Sequence, residues 1–155
     1  MKKLVFFLCS FLLFGFKTPT NNDTPIIVHF EQILNEYRYS NGLNPVVIDE
    51  SIKELTDYRS KNLVRDYSHN GFSENINPQK LSFRFAGENI GISRNLPNNQ
   101  NPYHSTNYNI AMFCFLQWKN SMVHNELLLN DKIKRFYLSY NEDKTFSYFC
   151  FIAMD

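Results

Sequence analysis

The chain has 155 residues, which is long enough for one domain with a hydrophobic core and too short for two ordinary domains. Hydrophobic residues make up 43% of it and charged residues 20%, a balance that excludes both a disordered chain and a bundle of membrane spans. The formal charge is +1, and it becomes −2 without the first 17 residues, which hold three lysines and no acid. Nucleic-acid binding through bulk positive charge is therefore excluded.

The N-terminus has the layout of a secretory signal peptide. Lys2 and Lys3 precede an apolar run from Leu4 to Phe16, which is shorter than the roughly 20 residues that a membrane span needs. We therefore predict that residues 1–20 direct export and are removed. The mature protein is then expected to be secreted or to lie in the periplasm or cell envelope, with membrane contact only through this segment.

Export changes the interpretation of the cysteines. Cys9 leaves with the signal peptide, and Cys114 and Cys150 remain as a pair in an oxidising compartment. Both lie in aromatic-rich stretches, so the sequence leaves two alternatives open. They form a disulfide, or they are buried free thiols that pack as small hydrophobic side chains.

The mature chain begins with two predicted helices. After a short polar linker over residues 21–25, apolar residues recur at helical spacing on one face until an Asn-Gly stop signal at 41–42. A brief extended segment then leads to a second helix. Asp49 or Ser51 can cap this helix, and we expect it to end near Asp66.

The rest of the chain mixes loops, strands and one further helix. The alternation predicts a single α/β domain over residues 26–155, in which Trp118 and Cys114, one helical turn apart, are buried together. The predicted elements are a loop over 67–87, a short strand over 90–93, a long polar loop over 94–107, a helix over 110–118 and a hairpin of strands 135–140 and 146–153.

Three short motifs follow one another in this domain. Ser68-His69-Asn70-Gly71-Phe72 comes after the second helix, and Phe85-Ala86-Gly87-Glu88-Asn89-Ile90-Gly91 comes next. Trp118-Lys119-Asn120-Ser121-Met122-Val123-His124 then closes the third helix, while the first helix carries Asn35-x-x-Arg38-x-x-x-x-Gly42-Leu43. In this order the motifs resemble the CAP superfamily, the cysteine-rich secretory protein, antigen 5 and pathogenesis-related 1 group of SCP domains, in its bacterial-type branch.

The resemblance implies an α-β-α sandwich, with a small antiparallel sheet between helical layers and a cleft on one face. In many family members this cleft collects two histidines and two acids, which can hold a divalent metal such as zinc. By motif, His69 and His124 match the histidines and Glu88 matches one acid, whereas Ser121 stands where eukaryotic members have the second. The implied cleft is His69, Glu88, Ser121 and His124, with His69, Glu88 and His124 as candidate zinc ligands that bind weakly because Ser121 replaces an acid.

The same side chains permit three kinds of chemistry on physical grounds. Two neutral imidazoles and a carboxylate, with the fourth position open, are a ligand set for catalytic zinc. Without metal, these groups form a hydrogen-bonded network in which Glu88 orients an imidazole and Ser121 donates or accepts. A Ser-His-Glu arrangement also admits nucleophilic catalysis, but the sequence contains no nucleophile elbow. We prefer the network.

Three functions follow from these interpretations. The leading hypothesis is a secreted, monomeric binding module, rather than an enzyme, whose cleft binds a small molecule, a lipid or a protein. The alternatives are a divalent-metal-dependent hydrolase that uses the same cleft and a structural, envelope-associated protein in which the cleft is vestigial. The first is preferred by analogy with the fold, because family members differ widely in activity.

Overall fold

The computed structural model describes residues 24–76, 80–95 and 106–155. The predicted signal peptide lies outside these ranges, as do most of the predicted linker and most of the long polar loop. Within the described part, no helix has both the length and the apolar character that crossing a membrane requires.

The described residues form helices and strands in the mixed order that the sequence predicts. The predicted first helix, third helix and C-terminal hairpin are all present, within a few residues of their predicted ends. The elements are α1 (Ile26–Ser40), β1 (Val47–Ile48), a 3-10 turn (Glu50–Ile52), α2 (Lys53–Asn62), α3 (Phe72–Asn75), β2 (Ala86–Arg94), α4 (Asn107–Lys119), α5 (Met122–Leu128), β3 (Arg135–Glu142) and β4 (Phe146–Met154).

The strands form one sheet with helices on both faces, which confirms the predicted α-β-α sandwich. Its order is β1-β3-β4-β2, so β4 lies inside the sheet and β2 is an edge strand. The pairs β2–β4 and β3–β4 are antiparallel, as predicted. The two-residue strand β1 is the exception to the predicted antiparallel sheet, because it pairs in parallel with β3.

One face of the sheet is covered by α1, α4 and α5 and is filled by aromatic rings. Phe30 of α1, Trp118 of α4 and Phe151 of β4 are each 0% exposed, and their ring centroids lie 5.5–5.7 Å apart. The Trp118 indole donates a hydrogen bond to the Ile90 carbonyl oxygen at 2.9 Å, which satisfies its polar atom within the core. Cys114 is also fully buried in this cluster, so the predicted burial of the pair is confirmed.

The other face is covered by α2. Ile52, Leu55 and Leu63 pack there against Cys150 and Ile152 of β4. Because Cys114 and Cys150 belong to clusters on opposite faces of the sheet, they are free buried thiols. Of the two alternatives that the sequence leaves open, the structure therefore has the second.

Two polar side chains of the pattern on the first helix, Asn35 and Arg38, bind main-chain groups. The Asn35 side-chain amide donates to the Val46 carbonyl oxygen and accepts from the Val46 N–H, each at 2.8 Å, as a neighbouring strand would. The buried Arg38 donates to the carbonyl oxygens of Asn44, Leu128 and Asn130. These residues join the end of α1 to the chain segments around it, so their role is structural.

The structure differs from the sequence prediction in two places that shape the site. The predicted strand over 90–93 is part of the longer strand β2, which pairs with β4 along its whole length. The segment 120–128 does not close the third helix, because the chain turns at Asn120 and Ser121 and starts α5. In β2 the pairing with β4 overrides the low strand propensity of Gly87, Glu88 and Asn89.

Candidate functional site

The predicted cleft residues lie around the first half of the edge strand β2. Glu88 is on β2 itself, His69 is in the loop between α2 and α3, and His124 is on α5. Ser121 is the residue before α5 and is half-buried. The α2 side and the α5 side of the sheet therefore meet at this edge, where each contributes one histidine.

The centre of the site is a buried ion pair between Arg59 and Glu88. The Arg59 Nε and Nη2 atoms donate to the Oε1 and Oε2 atoms of Glu88 at 2.7 and 3.1 Å. The two side chains are 2% and 1% exposed. Burial by itself lowers the pKa of Arg59, but the hydrogen bonds and the negative charge of Glu88 outweigh burial and raise it.

Arg59 also fixes the loop that carries the first histidine. Its remaining donors bind the carbonyl oxygens of Ser68 and Asn70, on either side of His69, at 2.9 and 2.6 Å. Gly71 ends this turn with φ +80°, a conformation that favours glycine. One guanidinium therefore positions both the carboxylate and the loop, and each of its three nitrogen atoms donates to at least one oxygen.

His69 completes the hydrogen bonds of the carboxylate from the solvent side. Its Nδ1 lies 3.0 Å from Glu88 Oε2, while its side chain is 55% exposed. Glu88 also accepts the two hydrogen bonds from Arg59 and stays buried. His69 therefore lies between the buried carboxylate and water. In this arrangement Glu88 orients the imidazole, as the predicted polar network requires.

His124 approaches from the opposite side, on a helix that β2 holds in place. The Asn89 side-chain amide donates to the His124 carbonyl oxygen at 2.9 Å. The His124 Nδ1 atom is buried without a hydrogen-bond partner among the described residues. Burial lowers the pKa of His124, and the nearby His69 lowers it further, because a second positive charge there is unfavourable.

Ser121 and Cys150 lie at the margins of this network. Ser121 occupies the N-cap position of α5, where its side chain makes no capping hydrogen bond and its carbonyl oxygen accepts from the Asn125 N–H. The Cys150 thiol lies 3.5 Å from Glu88 Oε1 at the end of the site inside the core. Burial and the adjacent Glu88 charge raise the pKa of this thiol well above its usual value, so the thiol stays protonated.

The candidate zinc ligands do not form a metal site in this structure. Among the residues that the structure describes, no group of three or more His, Cys, Asp or Glu side chains is placed to hold a metal ion. The reason is local, since Glu88 directs one oxygen to Arg59 Nε and the other to Arg59 Nη2 and His69. The ligand set of His69, Glu88 and His124 therefore does not fit zinc in the observed geometry.

Arg59 is a residue of the site that the motifs do not predict. It lies four residues after Leu55 and four before Leu63, both of which face the core, so it occupies an apolar position of α2. An arginine on the buried face of a helix is rare unless it is paired. This spacing predicts that Arg59 has a buried acidic partner, but it does not predict which acid that is.

Comparison with known proteins gives the fold. No protein-family model matches the chain, and no curated protein does either. Among solved structures, an extracellular SCP-domain protein of Bacillus anthracis matches with a TM-score of 0.58 and 22% identity over 82% of this chain and 40% of that one. A cysteine-rich secretory protein of Staphylococcus aureus matches with a TM-score of 0.56 and 15% identity over 82% of this chain and 38% of that one.

A third structure is similar in size to this chain. An outer surface protein of Borrelia burgdorferi matches with a TM-score of 0.57 and 16% identity over 81% of this chain and 88% of that one. The chain thus spans about 40% of the first two structures and most of the third. These matches confirm that the chain has the SCP, or CAP, fold that its motifs predict.

Proposed function

We propose that this chain is an exported binding module that uses the cleft between His69 and His124 to bind a ligand and does no chemistry on it. The observation that carries this proposal is the double hydrogen bond from Arg59 to Glu88. A carboxylate held in this way is a weak candidate for a general base or a metal ligand, because either role would break the buried ion pair. What the cleft then offers is hydrogen bonding from two imidazoles.

Two exposed apolar side chains of α5, next to His124 in the chain, support binding to a partner with apolar groups. Met122 and Val123, between Ser121 and His124 in the chain, are 79% and 70% exposed. Two neighbouring apolar side chains with so much contact with water add to the hydrophobic area that a ligand would cover. The proposed surface therefore combines an apolar rim on α5 with the polar groups of the two histidines.

Export is part of the proposal. The extracellular and outer-surface proteins that share this fold support a secreted or envelope location, and the N-terminal segment has the composition of a signal peptide. N-terminal sequencing of the protein recovered outside the cytoplasm is expected to give a start between about residues 16 and 25, from the usual signal length. Recovery of the full-length chain in the cytosol alone would contradict export.

A ligand panel tests binding at the cleft. The panel contains a random peptide library, a medium-chain fatty acid and vesicles of anionic or zwitterionic phospholipid, each applied to the mature protein and to His69→Gln and His124→Gln. His29→Gln is the matched control, because His29 lies on α1 against Tyr108, outside the cleft. We expect at least one class to bind the wild type and the control, and to bind the cleft variants about tenfold more weakly.

The same proteins distinguish binding from metal chemistry. Calorimetric titration with zinc is expected to give no heat that depends on His69 or His124. Zinc binding that both substitutions abolish would support the hydrolase instead. A panel in which no class binds, or in which binding is equal in all four proteins, would overturn the proposed cleft function.

A further inference from the structure

The direction of the main-chain groups of β2 can be read from its pairing with β4. At the two ends of the strand, the Asp155 N–H donates to the Phe85 carbonyl oxygen and the Asn95 N–H donates to the Thr145 carbonyl oxygen. The register between these ends is continuous, so the odd-numbered residues of β2 bond to β4. The N–H and C=O groups of the even-numbered residues, including Ala86 and Glu88, consequently point away from the sheet.

Helix α4 covers the outward groups in the second half of this edge. The Trp118 indole donates to the Ile90 carbonyl oxygen at 2.9 Å, and the Gln117 amide donates to the Ile92 carbonyl oxygen at 3.0 Å. These bonds agree with the register, since only outward carbonyls can reach α4. They also block this half of the edge against another strand.

The first half of the edge is open at Glu88. Among the residues that the structure describes, none bonds to the outward N–H or C=O of Glu88. The Glu88 side chain is 1% exposed, yet the residue as a whole is only half-buried, so the surface that it shows to solvent is its main chain. A neighbouring donor and acceptor are therefore exposed at this point of the strand.

This open peptide group forms the floor of the proposed cleft. His69, bonded to the Glu88 side chain, lies on the α2 side, and α5 lies on the other side, held to β2 by the bond from Asn89 to His124. The close packing of α5 requires Gly87, since a Cβ there would come within 2.6 Å of the Leu127 side chain. Both walls are thus built from side chains, while the floor is main chain.

We propose that the ligand of this cleft is an extended polypeptide segment that pairs with β2 at Glu88. This inference rests on the proposed binding function and names the class of its ligand. A residue placed opposite Glu88 would exchange two hydrogen bonds with it, one from each N–H, which is the unit of strand pairing. A fatty acid or an anionic headgroup offers no donor next to an acceptor at this spacing.

The neighbouring features limit the length and chemistry of the segment. Trp118 and Gln117 prevent pairing from Ile90 onward, so the bound strand has about three to five residues at about 3.3 Å each. Its side chains alternate between the two sides of the edge, one set toward His69 and the next toward α5. The exposed Met122 and Val123 favour an apolar side chain on the α5 side.

The first test uses peptides selected from a random nine-residue library on the full mature protein. Each binder is resynthesised with one N-methyl group at successive positions, which removes one main-chain donor and leaves the side chains unchanged. We expect N-methylation at alternate positions near the centre of the peptide to weaken its binding about tenfold or more. N-methylation at the positions between them should have little effect. In amide-resolved NMR, the Glu88 N–H signal should shift and become protected from exchange when the peptide binds.

A protein variant tests the same contact from the other side. Ala86→Pro removes an outward N–H without touching a bond to β4, and edge strands accept proline at such positions. Ala86→Ser is the control, because it keeps the N–H. One lost hydrogen bond is expected to weaken peptide binding about fivefold in the proline variant relative to the serine variant. Should Ala86→Pro unfold, the N-methyl series on the wild type still decides.

The outcomes separate this inference from the proposed function. Failure to select any peptide, or uniform tolerance of N-methylation with an unmoved Glu88 signal, would overturn strand pairing. If a fatty acid or a phospholipid vesicle still binds in a way that depends on His69 and His124, the binding module stands and only its ligand class is wrong. If no ligand of any class depends on these histidines, both proposals fail together.

Discussion

The two faces of the sheet are stabilised by different kinds of interaction. On the α1–α4 face, Phe30, Trp118 and Phe151 bury aromatic surface, and the one polar atom among them donates to a backbone carbonyl. On the α2 face, an equally buried position holds the ion pair of Arg59 and Glu88. Ring burial is favourable wherever it occurs, whereas a buried ion pair offsets its own desolvation only while both partners are present.

This difference shows how the two faces contribute to the proposed cleft. The aromatic face contributes α5 with His124 and is bonded to the edge strand through the Trp118 indole. The face with Arg59 places a charge, a loop and a histidine within one set of hydrogen bonds. A protein gains little stability from such an arrangement, so its presence at the open edge of β2 supports a role in recognition.

The largest loss of stability is expected from removing one buried ring from the aromatic face. Trp118→Ala removes a fully buried ring and the hydrogen bond to Ile90, and it should cost about 4–5 kcal/mol, at the upper end of the range for large aromatic residues. The free energy of unfolding in urea measures this loss. Trp118→Phe, which keeps most of the packing, is the control and should lose less than half as much. A loss below about 1 kcal/mol for the alanine variant would place Trp118 outside the core.

The next largest loss of stability is expected from breaking the ion pair on the α2 face. Arg59→Met keeps much of the side-chain volume but leaves the Glu88 carboxylate buried without its cation, which should cost about 3–4 kcal/mol. The double variant Arg59→Met with Glu88→Gln removes both charges and should recover at least half of that loss. Urea unfolding of the wild type, of both single variants, Arg59→Met and Glu88→Gln, and of the double variant closes the cycle. Equal stability of the single and double variants would show that the charge on Glu88 is unimportant.

The parts of the fold that the sequence predicted are those with clear periodicity. Helix α1 follows from apolar residues at helical spacing, and the β3–β4 hairpin follows from aromatic runs around a polar turn. The first half of β2 was missed because Gly87 and Asn89 resemble a turn, and only pairing with β4 makes them a strand. Helix α5 was missed because it is only 7 residues long.

The sequence predicts the hydrogen bond between Glu88 and an imidazole, but it does not predict the cation that pairs with Glu88. The motifs identified His69, Glu88, Ser121 and His124, and the structure brings both histidines to one edge of the sheet. The partner that decides what Glu88 can do is Arg59, which is 29 positions away in the chain. Such a pairing depends on the tertiary fold, so the local pattern around Glu88 does not contain it.

A smaller loss of stability is expected from substituting Gly87, the residue of β2 against which Leu127 of α5 packs. Gly87→Ala places a Cβ within 2.6 Å of Leu127, so α5 or the Leu127 side chain must shift, at a cost of about 1–2 kcal/mol. Gly87→Ala with Leu127→Val relieves the contact, because valine lacks the Cδ atoms. The double variant should therefore be more stable than the sum of its single variants predicts. Strict additivity in urea unfolding would contradict close packing of α5 on the strand.

The smallest effect is a pH dependence at the edge of the cleft. The folded pKa of His124 lies below its unfolded value of 6.5, because burial and the nearby His69 disfavour the charged ring. As pH falls below about 6.5, the unfolded chain binds this proton first, so stability decreases until the folded pKa has also been passed. Well above the unfolded pKa, His124 is neutral in both the folded and the unfolded chain, so it does not contribute to the change of stability with pH. Urea unfolding between pH 7.5 and 4.5 should therefore show a steeper loss for the wild type than for His124→Gln, with His69→Gln intermediate because it removes only the repulsion. Parallel profiles for the wild type and His124→Gln would show that burial and His69 do not lower the pKa of His124.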